Sequence, residues 1–372
     1  MFKFQELKSI HLEISTRCQA SCPMCPRKYH GGVENKNLKI ADWTYEEFVT
    51  VITQSVLDQV QMIYFCGNLG DPIMNDDLIK MCRYIKSNAP HIHLHIHTNG
   101  GARHISWWQD LYSALPENHL VFFGIDGLEE TNHLYRIGVK YDHVIRNARA
   151  FIDCGGFAEW VFIKFKHNEH EELEAERRSN EYGFQRFTVK NTTRFIEDTK
   201  YAVLDKDGNT EYFLEPPSDN QVVLIDTTKI KNFETTLNNS VIDCHVIHNK
   251  EIYIDAHKHV YPCCFTASAP YQYRAPARPQ DEIGGIVYDF RDKLLGQYHQ
   301  MVNGLGGIDR LYAINNSIED IIESTAWQTV WEKHWNEKTL LTCARVCGKI
   351  ENGFSKPNEQ FVKRLHNAKQ AV

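Results

Sequence analysis

No stretch of the chain approaches 18 consecutive apolar residues, so nothing in it reads as a membrane-spanning helix. The opening residues, Met-Phe-Lys-Phe-Gln-Glu-Leu-Lys, lack the apolar core of a secretory signal, and a cytoplasmic protein is expected. Positive charge is not in excess either. Lys+Arg number 41 against 48 Asp+Glu, a formal net charge of −7, which argues against nucleic acid as a partner. Internal repeats and low-complexity segments are absent. So is an even complement of cysteines: 11 thiols in a 372-residue chain without a signal point to reduced cysteine and metal ligation, not to disulfides. A chain of this length has room for one large domain, a smaller one and a sizeable core.

What is present is an alternation of short apolar runs with amphipathic segments through the first half. Strands are expected at Ile10–Ile14, Met62–Phe65, His91–His97, Leu120–Ile125, Trp160–Phe165 and Arg186–Val189. Helices are expected at Tyr45–Val60, Asp76–Ser87 and Asp142–Cys154. This alternation predicts a parallel sheet with crossover helices. Six units are too few for the usual eight-stranded barrel, so the expected fold is α/β, a partial (β/α)6 barrel with functional residues at the strand ends. Residues 196–240 break the rhythm with the turn sequences Asp205-Lys-Asp-Gly-Asn and Pro216-Pro-Ser-Asp-Asn, and read as a linker or insertion. Beyond them, Glu251–Asp255 and His259–Tyr261 read as a hairpin, and the end of the chain as helical. The expected units are thus 1–195, 196–240 and 241–372.

Cys18, Cys22 and Cys25 form a C-x3-C-x2-C run entered directly from the first strand. Three thiolates so spaced can hold three irons of a [4Fe–4S] cluster and leave the fourth open to a small molecule. Structural zinc sites more often pair C-x2-C knuckles with four ligands near in sequence. Gly67 and Gly70 let backbone approach a ligand closely. Asp71 offers an acceptor for an ammonium group and Arg136 a fork for a carboxylate. Asp71-Pro72 is also a plain helix-start turn, and Arg136 also reads as a surface ion pair.

Taken in order, these motifs resemble the radical S-adenosylmethionine (SAM) superfamily over about residues 8 to 190. Cys-Pro-Met-Cys-Pro-Arg, ending at Arg27, looks like its cluster loop. Cys66-Gly-Asn-Leu-Gly-Asp-Pro is similar to its Gly-Gly-Glu-Pro segment, Thr98-Asn99-Gly100 to its third strand end, and Ile125-Asp126-Gly127 with Tyr135-Arg136 to its fourth. Lys166-x-Asn168 resembles the end of its fifth strand. The resemblance implies that Gly67, Asn68, Gly70, Asp71, Asn99, Asp126, Arg136 and Asn168 bind SAM. It also implies reductive cleavage of SAM to a 5′-deoxyadenosyl radical that abstracts hydrogen from a substrate C–H bond, fed by an external donor such as flavodoxin or ferredoxin. Three positions depart from the family: Gln19 stands for Asn, Asp71 for Glu, and Gly124 for Ser.

Cys244, Cys263, Cys343 and Cys347 form a second set. The predicted hairpin brings Cys244 and Cys263 together, while Cys343 and Cys347, four apart, share a helix face. This set resembles the twitch domain, the shortened SPASM extension, a small α+β unit implied to hold an auxiliary [4Fe–4S] cluster. Lys258 stands where that family has Gly, its final pair is usually C-x2-C, and Cys264 is an extra thiol able to substitute. Four cysteines also satisfy zinc.

His91, His93, His95 and His97 alternate with Ile92, Leu94 and Ile96, which places the imidazoles on one strand face, lining the lumen or stacked for a metal. His97, nearest the active end, is the candidate substrate contact. Cys66, Cys82 and Cys154 read as packing cysteines. Trp107, Trp108, Trp327, Trp331 and Trp335 read as core or domain-interface anchors. A start almost directly at the first strand lowers the expectation of a peptide-binding module, so the expected substrate is a small metabolite or a peptide. The reading from a different class is a non-catalytic iron–sulfur electron carrier or a zinc-stabilised binding protein.

Overall fold

The computed structural model describes residues 1–192, 194–195, 200–218, 233–271, 282–349 and 361–366. The turn residues Asp219 and Asn220 lie outside the described residues.

Six strands follow one another through the first half: β1 (Ser9–Leu12), β2 (Met62–Cys66), β3 (His93–Thr98), β4 (His119–Gly124), β5 (Ala158–Lys164) and β6 (Arg186–Asn191). Their outward side chains explain why they form. Ile10, Leu12, Ile63, Phe65, Leu94 and Ile96 are fully buried against the surrounding helices. Helix Leu78–Asn88 answers with Leu78, Met81, Cys82 and Ile85, one stripe at helical spacing, so Cys82 is a packing cysteine.

Three further strands extend this set: β7 (Glu251–Ile254), β8 (Val260–Tyr261) and β9 (Phe361–His366). The nine-stranded order is β8-β7-β1-β2-β3-β4-β5-β6-β9. Strands β7 and β1 through β6 run parallel, whereas β8 and β9 are antiparallel edges, so the sheet is mixed and open. The hairpin thus forms as expected, but β7 also joins the main sheet. Ser9–Leu12 pairs residue by residue with Glu251–Ile254 on one side and Met62–Phe65 on the other. Lys190 on β6 interacts electrostatically with Cys66 on β2. Four flat inter-strand steps would span about 19 Å, so the sheet curls around a concave inner face.

Several expectations need correction. Strand β3 begins at His93, because Ala89-Pro90 makes a turn closed by Ile92 N–H to Ala89 O at 3.1 Å. His91 lies in that turn, and the strand face carries His93, His95 and His97. The helix expected over Tyr45–Val60 is two helices, Tyr45–Val51 and Gln54–Gln59, since the β-branched run Thr50 to Thr53 is a poor helix interior. The end of the chain is not all helical: Gly348–Lys349 pairs with Val241–Ile242, and β9 pairs with β6. Cys66 sits in register with His97 on the inner face, not among the helices, and Cys154 lies in a turn after helix Tyr141–Ile152. No helix among the described residues is long and apolar enough to cross a membrane.

Candidate active site

The loop leaving β1 carries the cysteine triplet over the ends of β2, β3 and β4, and each thiol meets a different one. Cys25 Sγ lies 4.0 Å from the Asn68 carbonyl. Cys18 Sγ accepts from Asn99 Nδ2 at 3.4 Å and from the Ala20 N–H at 3.4 Å. Arg136 Nη1 approaches Cys22 Sγ at 3.8 Å. Arg27 braces the loop by donating to the carbonyls of Thr16 (3.1 Å) and Cys18 (3.3 Å). Burial pushes the Cys22 thiol up to about 11 against the pull of Arg136, and raises Cys18 as well. Ligation of these thiols therefore releases protons.

Beneath the triplet, Asp71 is buried and accepts from Asn99 N–H (2.8 Å), Asn99 Nδ2 (2.7 Å) and Thr98 Oγ1 (3.0 Å). Its other oxygen caps the turn Pro72–Met74 through Ile73 N–H at 3.2 Å. Burial raises its pKa, and these hydrogen bonds oppose that rise. The glycines are required by close approach: a Cβ on Gly67 would lie 1.7 Å from Gly70 O, and one on Gly70 would lie 1.9 Å from Ser15 O. Asn68 Nδ2 is buried without a hydrogen-bond partner, a donor that a ligand can use.

Arg136 is a half-buried partner, not a surface one. Its Nε donates to Asp126 Oδ2 at 2.5 Å, and Asp126 is fully buried. Burial opposes the Arg136 charge, but Asp126 more than compensates, so the guanidinium stays cationic. Asp126 also accepts from Ile163 N–H at 2.6 Å, which commits its carboxylate to holding Arg136 and β5. A Cβ on Gly124 would sit 2.4 Å from Arg136 Nη2; here the guanidinium fills the place of a side chain at 124. Gln19 Nε2 donates to Asn99 Oδ1 at 2.5 Å. Asn168 spends its amide on the carbonyls of Asp126 and Ile163, both at 2.9 Å, and accepts from Phe165 N–H at 2.7 Å, a tie between strand ends.

The inner face lies below this ring of residues. His97 stacks flat on Phe122, centroids 4.1 Å apart, and burial keeps its imidazole neutral. His11 packs on Tyr64 at 4.5 Å. Lys190, Glu159 and Glu13 were not singled out from the sequence. Period-two reading of β5 and β6 would have put Glu159 and Lys190 on the inner face, whereas nothing local marked Glu13. Glu13 accepts from Tyr253 OH and Leu69 N–H, both at 2.5 Å, and so joins β7 to the loop of Gly67 to Asp71.

The second cysteine set also comes together. Cys244, Cys263, Cys343 and Cys347 line one cavity with Phe265 and Trp335. The cavity is small, about 20 Å³. The indole N–H of Trp331, which also lines it, is buried without a hydrogen-bond partner, and that of Trp335 faces the Cys343 thiol. A sulfide-rich group would give the Trp331 indole an acceptor, so four thiols in apolar surroundings fit an iron–sulfur cluster. Cys343 and Cys347 lie on helix Leu341–Cys347, which accounts for their spacing. Cys264 interacts with Cys66, Glu251 and Glu13 and is not part of the cavity lining. Burial pushes Cys263 up to about 11, whereas a hydrogen bond from Cys244 holds Cys347 below the ordinary thiol range. Lys258 has φ 69, the left-handed conformation that suits glycine. Among the described residues, no three His, Cys, Asp or Glu side chains converge as on a single metal ion. Cluster thiolates bind separate irons and need no common point.

The family model described as the Radical SAM superfamily matches residues 12–175. A tungsten-containing aldehyde ferredoxin oxidoreductase cofactor-modifying protein of Pyrococcus furiosus is 26% identical over 133 residues, 36% of this chain and 34% of that protein. The match thus spans about a third of that relative. Among solved structures, anSMEcpe with bound AdoMet and Cp18Cys peptide superimposes with a TM-score of 0.51 at 16% identity, covering 95% of this chain and 93% of that one. SuiB of Streptococcus suis bound to S-adenosylmethionine gives a TM-score of 0.47 at 12% identity, over 76% of this chain and 66% of that one. The cysteine loop set over the ends of parallel strands thus lies in the stretch, residues 12–175, that is similar to the radical SAM superfamily, a family of enzymes, and the likeness in fold to anSMEcpe extends over nearly the whole chain.

Proposed function

We propose that this enzyme binds a [4Fe–4S] cluster on Cys18, Cys22 and Cys25, cleaves SAM reductively, and oxidises or otherwise modifies a small metabolite or peptide. When bound, the cluster delivers one electron to SAM, giving methionine and a 5′-deoxyadenosyl radical that takes hydrogen from a substrate C–H bond. The observation that carries this reading is the pairing of each thiol with its own strand-end residue: Cys25 with Asn68, Cys18 with Asn99, Cys22 with Arg136. Arg136, kept cationic by Asp126, offers its remaining N–H groups to the SAM carboxylate. Asp71 and the unpartnered Asn68 amide flank the place for its amino end.

The inner face receives the substrate, with His97 as a neutral contact beside Lys190. Its His11, Tyr64, Glu159 and Lys190 side chains support a hydroxylated or amino metabolite. Cys244, Cys263, Cys343 and Cys347 hold an auxiliary cluster that can accept the electron left on the substrate, giving net oxidation. A flavodoxin- or ferredoxin-type protein supplies the first electron.

The test is anaerobic reconstitution, followed by dithionite and SAM, with chromatography for 5′-deoxyadenosine. About eight irons per chain and 5′-deoxyadenosine formation are expected. Cys18→Ala/Cys22→Ala/Cys25→Ala should lose all SAM cleavage and keep about four irons. A cluster-loaded wild type that neither binds nor cleaves SAM would overturn the proposal in favour of an electron carrier.

A further inference from the structure

The cavity of the second cysteine set is lined mainly by apolar side chains, yet one imidazole reaches it from outside. His245 opens the short helix His245–Asn249 and places Nδ1 3.2 Å from Cys347 Sγ. Backbone pairing fixes this approach. Ile242 lies opposite Gly348, and the Asp243 N–H donates to the Cys347 carbonyl at 2.9 Å, so the residues after 243 pass directly beside Cys347. The ring is held edge-on against Phe265, centroids 6.4 Å apart at 89°. A thiolate carries no proton, so the hydrogen in this contact belongs to Nδ1.

We propose that His245 is a positioning residue of the auxiliary cluster, donating Nδ1–H to the Cys347 thiolate and holding the cluster's reduction potential up. This rests on the reading that the second cysteine set binds a cluster. A hydrogen bond to a ligating sulfur draws electron density from it and favours the more negative, reduced state. The donor is half-buried beside apolar rings, where such a bond is screened less than in water. A less reducing cluster is the better acceptor for an electron leaving a substrate radical, so the contact serves the oxidative outcome.

The test uses the full chain carrying Cys18→Ala/Cys22→Ala/Cys25→Ala, which leaves the auxiliary site alone, followed through a redox titration by electron paramagnetic resonance. In that background His245→Leu should raise the oxidised-to-reduced ratio at fixed potential about tenfold, equivalent to about 59 mV for one electron. His245→Asn, whose amide N–H falls near the place of Nδ1, should restore most of it. An unchanged ratio in His245→Leu at full iron content would overturn the proposal. Loss of the iron in His245→Leu would also overturn it, since His245 would then be a ligand. A parent triple variant that takes up no cluster would overturn the auxiliary-cluster reading itself, a separate and recognisable failure.

Discussion

Glu13 shows how one side chain can link the two cysteine regions. It is 1% exposed just after β1, and its two oxygens take Leu69 N–H from the glycine loop and Tyr253 OH from β7. Burial raises its pKa from 4.5 to about 7, although both hydrogen bonds pull the other way. The sign follows from linkage. Below pH 4.5 the carboxyl is protonated folded or unfolded; between there and about 7 the unfolded chain releases the proton and the folded chain keeps it. The Glu13 contribution to stability therefore falls as pH rises through that window and stays flat above it. The loss amounts to about 3 kcal/mol. Burial depresses His11, His95 and His167 to about 4, and these act oppositely, costing stability as pH falls below 6.5. Only a difference between variants isolates Glu13. Glu13→Gln keeps the shape and removes the titration. It should gain about 3 kcal/mol on wild type between pH 4.5 and 8 in denaturant unfolding. Parallel pH profiles for the two proteins would show that Glu13 is not buried as a titrating acid.

At the scale of elements, the β7–β8 hairpin turns on a residue with the wrong backbone preference. Lys258 sits at φ 69, and its ammonium is held by Glu47 at 3.0 Å and the Asp42 carbonyl at 3.1 Å. Lys258→Ala removes both contacts and keeps the left-handed strain; Lys258→Gly removes the contacts and the strain together. The glycine variant should therefore be the more stable of the two by about 1 kcal/mol in urea unfolding, and equal stabilities would refute the strain. This position also shows what the sequence made legible. Short apolar runs marked β1 through β6 because those residues are buried outward, and strand-end motifs marked Asp71, Asn99 and Arg136. What stayed hidden depends on distant or opposed neighbours. Nothing in Glu-Ile-Tyr-Ile announces a parallel partner some 240 residues upstream, as long-range pairing leaves no local signature. Nor does adjacency tell Cys263 from Cys264, which differ in the side of the backbone each thiol leaves. Asp126 and Asn168 matched a motif, but their hydrogen bonds go to Arg136 and to backbone.

For the whole molecule, the continuous sheet makes the auxiliary region part of the core. Besides the β1–β7 ladder, the first residues of the chain run under the C-terminal helices. Phe4 N–H donates to Glu323 at 2.7 Å, Gln328 Nε2 donates to the Phe2 carbonyl at 3.1 Å, and Met1 lines the second cysteine cavity. Trp327 and Trp331, packed edge to face at 5.6 Å, belong to the same buried cluster as Ile10 and Leu12. Elements that share a ladder and a core open together, so unfolding should be cooperative across the chain. The anaerobically reconstituted protein is expected to melt in one calorimetric transition. Cys343→Ala/Cys347→Ala should move all of it downward, not release a separate early one. A group bound at about 1,000 times its Kd contributes about 4 kcal/mol to the folded state. At roughly 2 °C per kcal/mol for a chain of this size, the Tm should fall by about 8 °C. Two resolved transitions in the wild type, with only one moved by the double substitution, would mean that the cysteine region folds by itself and that the shared sheet does not couple it to the loop of Cys18, Cys22 and Cys25.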